Sequence, residues 1–224
     1  MHFLNRADAG RFLARELVRF RDRRDLIVLA LPRGGVPVGY EIARALHAPL
    51  DGFVVRKLGV PGQEELAMGA VASGGIRVLN AEVVAALGLD AREAIDRVTA
   101  GENKELLRRE ERYRGARAFP ELDGKTVILV DDGLATGAMM RAAARAVRKR
   151  KPARLIIAVP VGAESTYRKM RAEAEEVVCE LLPHPFFGIG QFYNNFRQTT
   201  DEEVRALLAQ AADEEREKDV QPNE

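Results

Sequence analysis

The chain has 224 residues, with 35 lysines and arginines against 34 aspartates and glutamates, a net charge of +1 and a pI near 7.9. That length suits one α/β core with an accessory lobe, and the balanced charge excludes the broad basic footprint of a nucleic-acid or acidic-membrane binder. The single cysteine, Cys179, excludes an internal disulfide and reads as a buried, inert thiol. No apolar stretch reaches transmembrane length, so a cytoplasmic protein is expected.

Residues 1–20 set Phe12, Leu13, Leu17, Val18 and Phe20 beside Asp8 and Glu16. This reads as an amphipathic helix expected to pack on a sheet, not as an export signal. The apolar run 26–31 predicts a strand that ends in the turn Pro32-Arg33-Gly34-Gly35 and feeds a helix over 36–46. A strand over 51–57 follows and ends on Arg56-Lys57. The segment 58–123 reads as an insertion. It holds a glycine-rich flexible loop over 59–75 carrying Glu64 and Glu65, a strand-like 76–79, and a charged helix over 90–117. In that helix Glu105 and Arg109, and Glu110 and Arg114, stand at i,i+4 with the acid first, the spacing of a solvated helix.

The run 127–140, VILVDDGLATGAMM, carries the most information. Its first four residues are apolar and do not alternate, which predicts a central strand buried on both faces. Asp131 and Asp132 stand at the carboxyl end of that strand, where open α/β sheets bind ligands. Leu134, Ala135, Thr136, Gly137 and Ala138 form a small-residue loop whose amides can close on a phosphate, with the positive end of a helix over 137–150 behind them. Carboxylates for hydroxyls or a metal, beside amides for a phosphate, describe a site for a phosphorylated sugar. A strand ending in an acid also fits a Walker B element, but the chain contains no G-x-x-x-x-G-K-[ST].

Strand 154–159, helix 164–174 and strand 176–181 keep up the alternation, so the expected class is α/β, a parallel-sheet core with helices on both faces. Residues 182–200 gather Phe186, Phe187, Phe192, Tyr193 and Phe196 into a small hood or lid. A closing helix is predicted over 201–212, with Thr200 as its cap ahead of Glu203. Residues 213–224 read as a frayed tail.

The runs LPRGG, DGFVVRK and VILVDDGLATGA resemble the type I phosphoribosyltransferases, and the match covers 26–57 and 124–181 well. The remaining segments look like a bacterial subgroup with the same PRGG and DDGLATGA runs. The resemblance implies a single domain with a phosphoribosyltransferase-like core, acting on phosphoribosyl pyrophosphate and a small nitrogenous base, with release of pyrophosphate. It also implies a homodimer, and Mg²⁺ held by substrate oxygens and waters without a set of protein ligands. By resemblance, Asp131 and Asp132 take the ribose hydroxyls and stabilise an oxocarbenium-like sugar. The 5′-phosphate lies on Leu134, Ala135, Thr136, Gly137 and Ala138. The pyrophosphate spans Arg33, Gly34 and Gly35, a loop that in the family often contains a non-proline cis peptide, and is neutralised by Lys57 with Arg56. The mobile loop brings Glu64 or Glu65 to the base, and Phe186, Phe187 or Tyr193 stacks on it.

Three positions depart from the family pattern. Met139 replaces a hydroxyl residue, Ala135 replaces an acid, and Gly133 replaces a larger apolar residue, which implies a looser turn. The first two keep a second reading open, a non-catalytic sensor of phosphoribosyl pyrophosphate or a nucleotide on the same fold. A sensor need not retain contacts to a leaving group, so Arg33 and Lys57 favour the transferase. Neither nucleic acid nor membrane is expected as a partner.

Overall fold

The computed structural model describes residues 2–87 and 91–220, apart from the side chains of residues 65, 91 and 218–220. In chain order the elements are α1 (Arg6–Glu16), a 3-10 turn (Val18–Phe20), β1 (Leu26–Ala30), α2 (Gly35–Leu46), β2 (Leu50–Gly52), β3 (Val55–Val60), β4 (Gln63–Ala72), β5 (Ile76–Leu79), α3 (Ala81–Ala86), α4 (Ala91–Arg114), β6 (Thr126–Val130), α5 (Ala138–Arg148), β7 (Arg154–Val161), α6 (Glu164–Met170), β8 (Glu176–Leu181), another 3-10 turn (Ile189–Phe192) and α7 (Asp201–Val220).

Five parallel strands form the main sheet in the order β2-β1-β6-β7-β8. Successive side chains of a strand face opposite ways. Val28, Ala30, Ile128, Val130 and Ile156 therefore face a core shared with α1, α2 and α7. Ile27, Leu29, Val127, Leu129 and Ile157 face one shared with α5 and the smaller sheet. The strands formed by both apolar runs are buried at every position, and the class is the expected α/β. β1 and β6 pair in register, Leu26 with Thr126 through Ala30 with Val130, so their carboxyl ends stand level.

The structure corrects the middle of the chain. The strand expected over 51–57 splits: β2 ends at Gly52, and β3 belongs to a separate antiparallel sheet, β3-β4-β5. The glycine-rich loop expected over 59–75 is mostly strand. Its glycines serve close approach: a Cβ at Gly59 would lie 2.8 Å from the Glu64 carbonyl oxygen, and one at Gly69 2.3 Å from that of Val78. Ala70 and Ala72 pack this sheet into the core shared with α5.

The long helix was expected from Asp90, which lies outside the described residues; α4 runs from Ala91 to Arg114. Glu105 and Arg109 pair at 2.8 Å as expected, on a solvated face. Arg114 is buried. Its guanidinium lies 2.9 Å from Asp51 and 3.1 Å from Glu110, and donates to the Gly52 carbonyl oxygen at 3.0 Å. The Glu110–Arg114 spacing therefore marks an internal clamp between α4 and β2. α7 continues to Val220, into the stretch 213–224 expected to fray, and residues 221–224 lie outside the description. Its start is the expected capping box, with Thr200 Oγ1 accepting from the Glu203 amide and Glu203 from the Thr200 amide. Cys179 is half-buried in β8, and burial pushes its thiol up to about 12. No helix among the described residues is long and apolar enough to cross a membrane.

Candidate active site

The turns after β1 and β6 converge. A Cβ at Gly34 would lie 2.0 Å from Asp132 Oδ2, and one at Gly35 2.7 Å from the Val130 carbonyl oxygen. Glycine at both positions lets the start of α2 sit directly on the acidic turn. The Pro32–Arg33 peptide is cis, as the resemblance implied. The Arg33 guanidinium points to the start of α7, where its Nη1 stands 3.9 Å from Asp201 Oδ1. Asp201 also accepts from the Tyr113 hydroxyl at 2.6 Å and stands 2.8 Å from Arg112.

Asp132 is held on two sides. Arg6 Nε donates to Oδ2 at 2.7 Å, and the Tyr193 hydroxyl donates to the main-chain oxygen at the same distance. Arg6 is itself fixed: Nη1 donates to the Arg197 carbonyl oxygen at 2.7 Å, and the guanidinium stacks 4.0 Å from the centre of the Phe196 ring. Asp131 accepts from the Asp132 amide at 2.9 Å. Burial pushes both carboxyl groups above the ordinary range, and the charge of Asp132 lifts Asp131 further, while Arg6 opposes both shifts. Among the described residues, the acidic pair thus comprises one carboxylate locked to a cation and one without such a partner.

Gly133 does not loosen the turn. Ile189 of the hood lies over it, and a Cβ would meet Ile189 Cγ2 at 2.6 Å, so the missing side chain is what lets the hood close down. Leu134 is also corrected. Its amide donates to the Val161 carbonyl oxygen at 2.8 Å and its own carbonyl accepts from Ala163 at 2.9 Å, so it anchors the loop to β7 and has no N–H left for a phosphate. Ala135, Thr136 and Ala138 are exposed at the start of α5. Thr166 Oγ1 ties the Ala135 carbonyl at 2.7 Å. Gly137 caps α5 with φ of 72°, and a Cβ there would stand 2.5 Å from Thr166 Cγ2, which leaves glycine as the fitting residue.

The remaining expected residues divide. Arg56 and Lys57 are not at a carboxyl end of the main sheet but inside β3, where neighbours face opposite ways. Arg56 turns to α4 and pairs with Glu102 at 2.7 Å. It is therefore withdrawn from the site. Lys57 lies half-buried on the face that Val55 and Ala70 share with α5. Glu65 belongs to β4, and its side chain lies outside the description. Phe187 is 83% exposed. Tyr193 is corrected: its ring is buried between Phe3 and Phe196, so it cannot stack on a base and instead braces the acidic turn. Among the described residues there is no group of three or more His, Cys, Asp or Glu able to hold a metal.

Sequence reasoning missed Arg6, Ile189 and Asp201. One signal for Arg6 was present. It follows the N-cap Asn5, and a cation at the positive end of a helix is disfavoured unless a carboxylate elsewhere compensates.

Three comparisons bear on this arrangement. The model of the phosphoribosyl transferase domain family matches residues 3–193. Two Mycobacterium tuberculosis proteins provisionally named phosphoribosyl transferases, MT0597 of strain CDC 1551 and Rv0571c of strain H37Rv, are each 47% identical over 93% of this chain. The chain spans 47% of the length of each of these relatives. The crystal structure of TT1426 from Thermus thermophilus is 40% identical, with a TM-score of 0.85 over 94% of this chain and 99% of that one.

Proposed function

The chain belongs to the phosphoribosyl transferase domain family, and from that premise we propose that it transfers the 5-phosphoribosyl group of phosphoribosyl pyrophosphate to a nitrogenous base. The observation that carries this reading is the convergence of the Arg33–Gly34–Gly35 turn on Asp131 and Asp132, with the exposed 135–138 loop leaving the same acidic turn. In this reading the 135–138 amides and Thr136 hold the 5′-phosphate at the positive end of α5. The ribose hydroxyls meet Asp131 and the Arg6-bound Asp132. The pyrophosphate lies on the Arg33 turn, with Lys57 supplying further charge.

The C1–O bond breaks with its electron pair leaving on pyrophosphate, which Arg33 and Lys57 neutralise. The carboxylates stabilise the cationic sugar while the base nitrogen bonds to C1 from the opposite face. The side-by-side carboxyl oxygens of Asp131 and Asp132 fit Mg²⁺, which keeps waters and substrate oxygens in its shell. Bound there it would offset pyrophosphate charge.

The test is calorimetric titration with phosphoribosyl pyrophosphate, with and without Mg²⁺, for the natural chain and an Asp131→Asn/Asp132→Asn variant. Mg²⁺-dependent binding that the variant loses supports the site and leads to a pyrophosphate-release screen over nucleobases. Equal binding by both proteins overturns it. Binding without release for any base favours the sensor, a reading that Ala135 and the locked Asp132 support.

A further inference from the structure

Away from this site, an open cleft of about 430 Å³ lies between the end of α4 and the middle of α7. That volume falls within the range of small-molecule sites. The cleft originates in α7, where Arg205, Ala209, Ala212 and Arg216 recur at helical spacing on one face. The two alanines put only methyl groups into the lining, while Val204 and Leu208 turn inward to the core.

Five arginines line the cleft against the carboxylates of Glu111 and Asp213. Three are engaged: Arg112 with Asp201 and Glu202, Arg114 with Asp51 and Glu110, and Arg216 with Asp213. Arg117 donates to the Arg114 carbonyl oxygen at 3.3 Å. Among the described residues, neither Arg117 nor Arg205 has a carboxylate within ion-pair distance. Two guanidinium groups outside any ion pair therefore line one concavity with Arg112, and the charge of Arg117 also favours the Asp51 carboxylate.

We propose that this cleft binds a short polyphosphate anion, of the class of pyrophosphate or tripolyphosphate, between Arg117 and Arg205. Guanidinium forks match phosphate oxygens two at a time, and the bonds are charge-assisted. The limited volume and the overall charge of +1 suit a small anion better than a nucleic-acid strand. Arg112 also holds Asp201, which faces Arg33, so the cleft and the Arg33 turn share one ionic cluster. The cleft site stands whether or not the transferase reading does.

Calorimetric titration of the full chain with tripolyphosphate at low ionic strength tests it, beside an Arg117→Ala/Arg205→Ala variant and an Arg33→Ala variant. The cleft variant is expected to lose about tenfold to a hundredfold in affinity, the effect of removing charge-assisted bonds. Its circular dichroism should stay that of the natural chain, because Arg205 is exposed and Arg117 half-exposed. Arg33→Ala should retain binding at the cleft. Failure of the natural chain to bind, undiminished binding by the cleft variant, or complete loss in Arg33→Ala would each overturn the proposal.

Discussion

Arg6 Nε and Asp132 Oδ2 meet at 2.7 Å across 126 positions of sequence, and this bond sets the charge of the acidic turn. The two side chains are only 11% and 13% exposed. Removing the cation leaves a desolvated carboxylate, so Arg6→Leu is expected to destabilise the chain by about 3 kcal/mol at neutral pH. Burial already raises Asp132 and Arg6 opposes the rise, so without Arg6 the folded-state value climbs further. The penalty then shrinks as the solution is acidified and Asp132 takes up a proton. Thermal melts of both proteins at neutral and acid pH check this, and a pH-independent penalty would show that the bond is not ionic in effect.

Asp131→Asn is expected to raise the melting temperature at neutral pH while abolishing binding of phosphoribosyl pyrophosphate. Burial first, then the charge of Asp132, hold the Asp131 carboxyl well above its ordinary value. A carboxyl raised on folding gives stability that is full below the unfolded value and is lost as pH rises through the folded one. The amide carries no such loss, so its advantage should vanish below the ordinary carboxylate range. Melting curves across that pH range decide the matter: a variant less stable than the natural chain at neutral pH contradicts the assigned burial.

Tyr193→Phe keeps the ring against Phe3 and Phe196 but removes the 2.7 Å bond to the Asp132 carbonyl oxygen. Leaving that oxygen without its donor should cost about 1–3 kcal/mol. Donor affinity should fall as well, because the turn loses its brace. Denaturant unfolding and titration measure the two effects, and unchanged stability would mean that the hydroxyl braces nothing.

Gly133→Val drives two methyl groups into Ile189 and should destabilise by about 1–3 kcal/mol through overpacking. Ile189→Ala on the same chain should recover part of the loss. A double-mutant cycle in urea reads the coupling, and strictly additive effects would place Ile189 away from the turn.

The main sheet was legible because 26–31 and 127–130 are continuous apolar runs with few alternative uses, and the start of α7 was legible from Thr200 and Glu203. The sheet β3-β4-β5 was not. Gly59 and Gly69 stand where strands approach within contact distance, but in sequence they look like freedom of the chain. Arg114 looked solvated because its near partner, Glu110, is one turn away, while the more distant Asp51 puts it in the interior. Asp131 and Asp132 were readable from their place at a strand's end. What holds them was not, since Arg6 and Tyr193 come from segments whose composition says nothing about what they touch.

The pairing of Phe3 with Tyr193 and of Arg6 with Asp132 has a consequence during synthesis. The segment holding Arg6 leaves the ribosome before its carboxylate partner, which follows more than a hundred positions later, and the Tyr193 hydroxyl that fixes the same turn emerges later still. Contacts of such separation close slowly, after local ones are in place. A nascent chain can therefore carry both glycine turns and the 135–138 loop and still lack the guanidinium, ring and hydroxyl that set the acids in place. Competence for ligand is gained late, when the hood folds back onto Phe3 and α1.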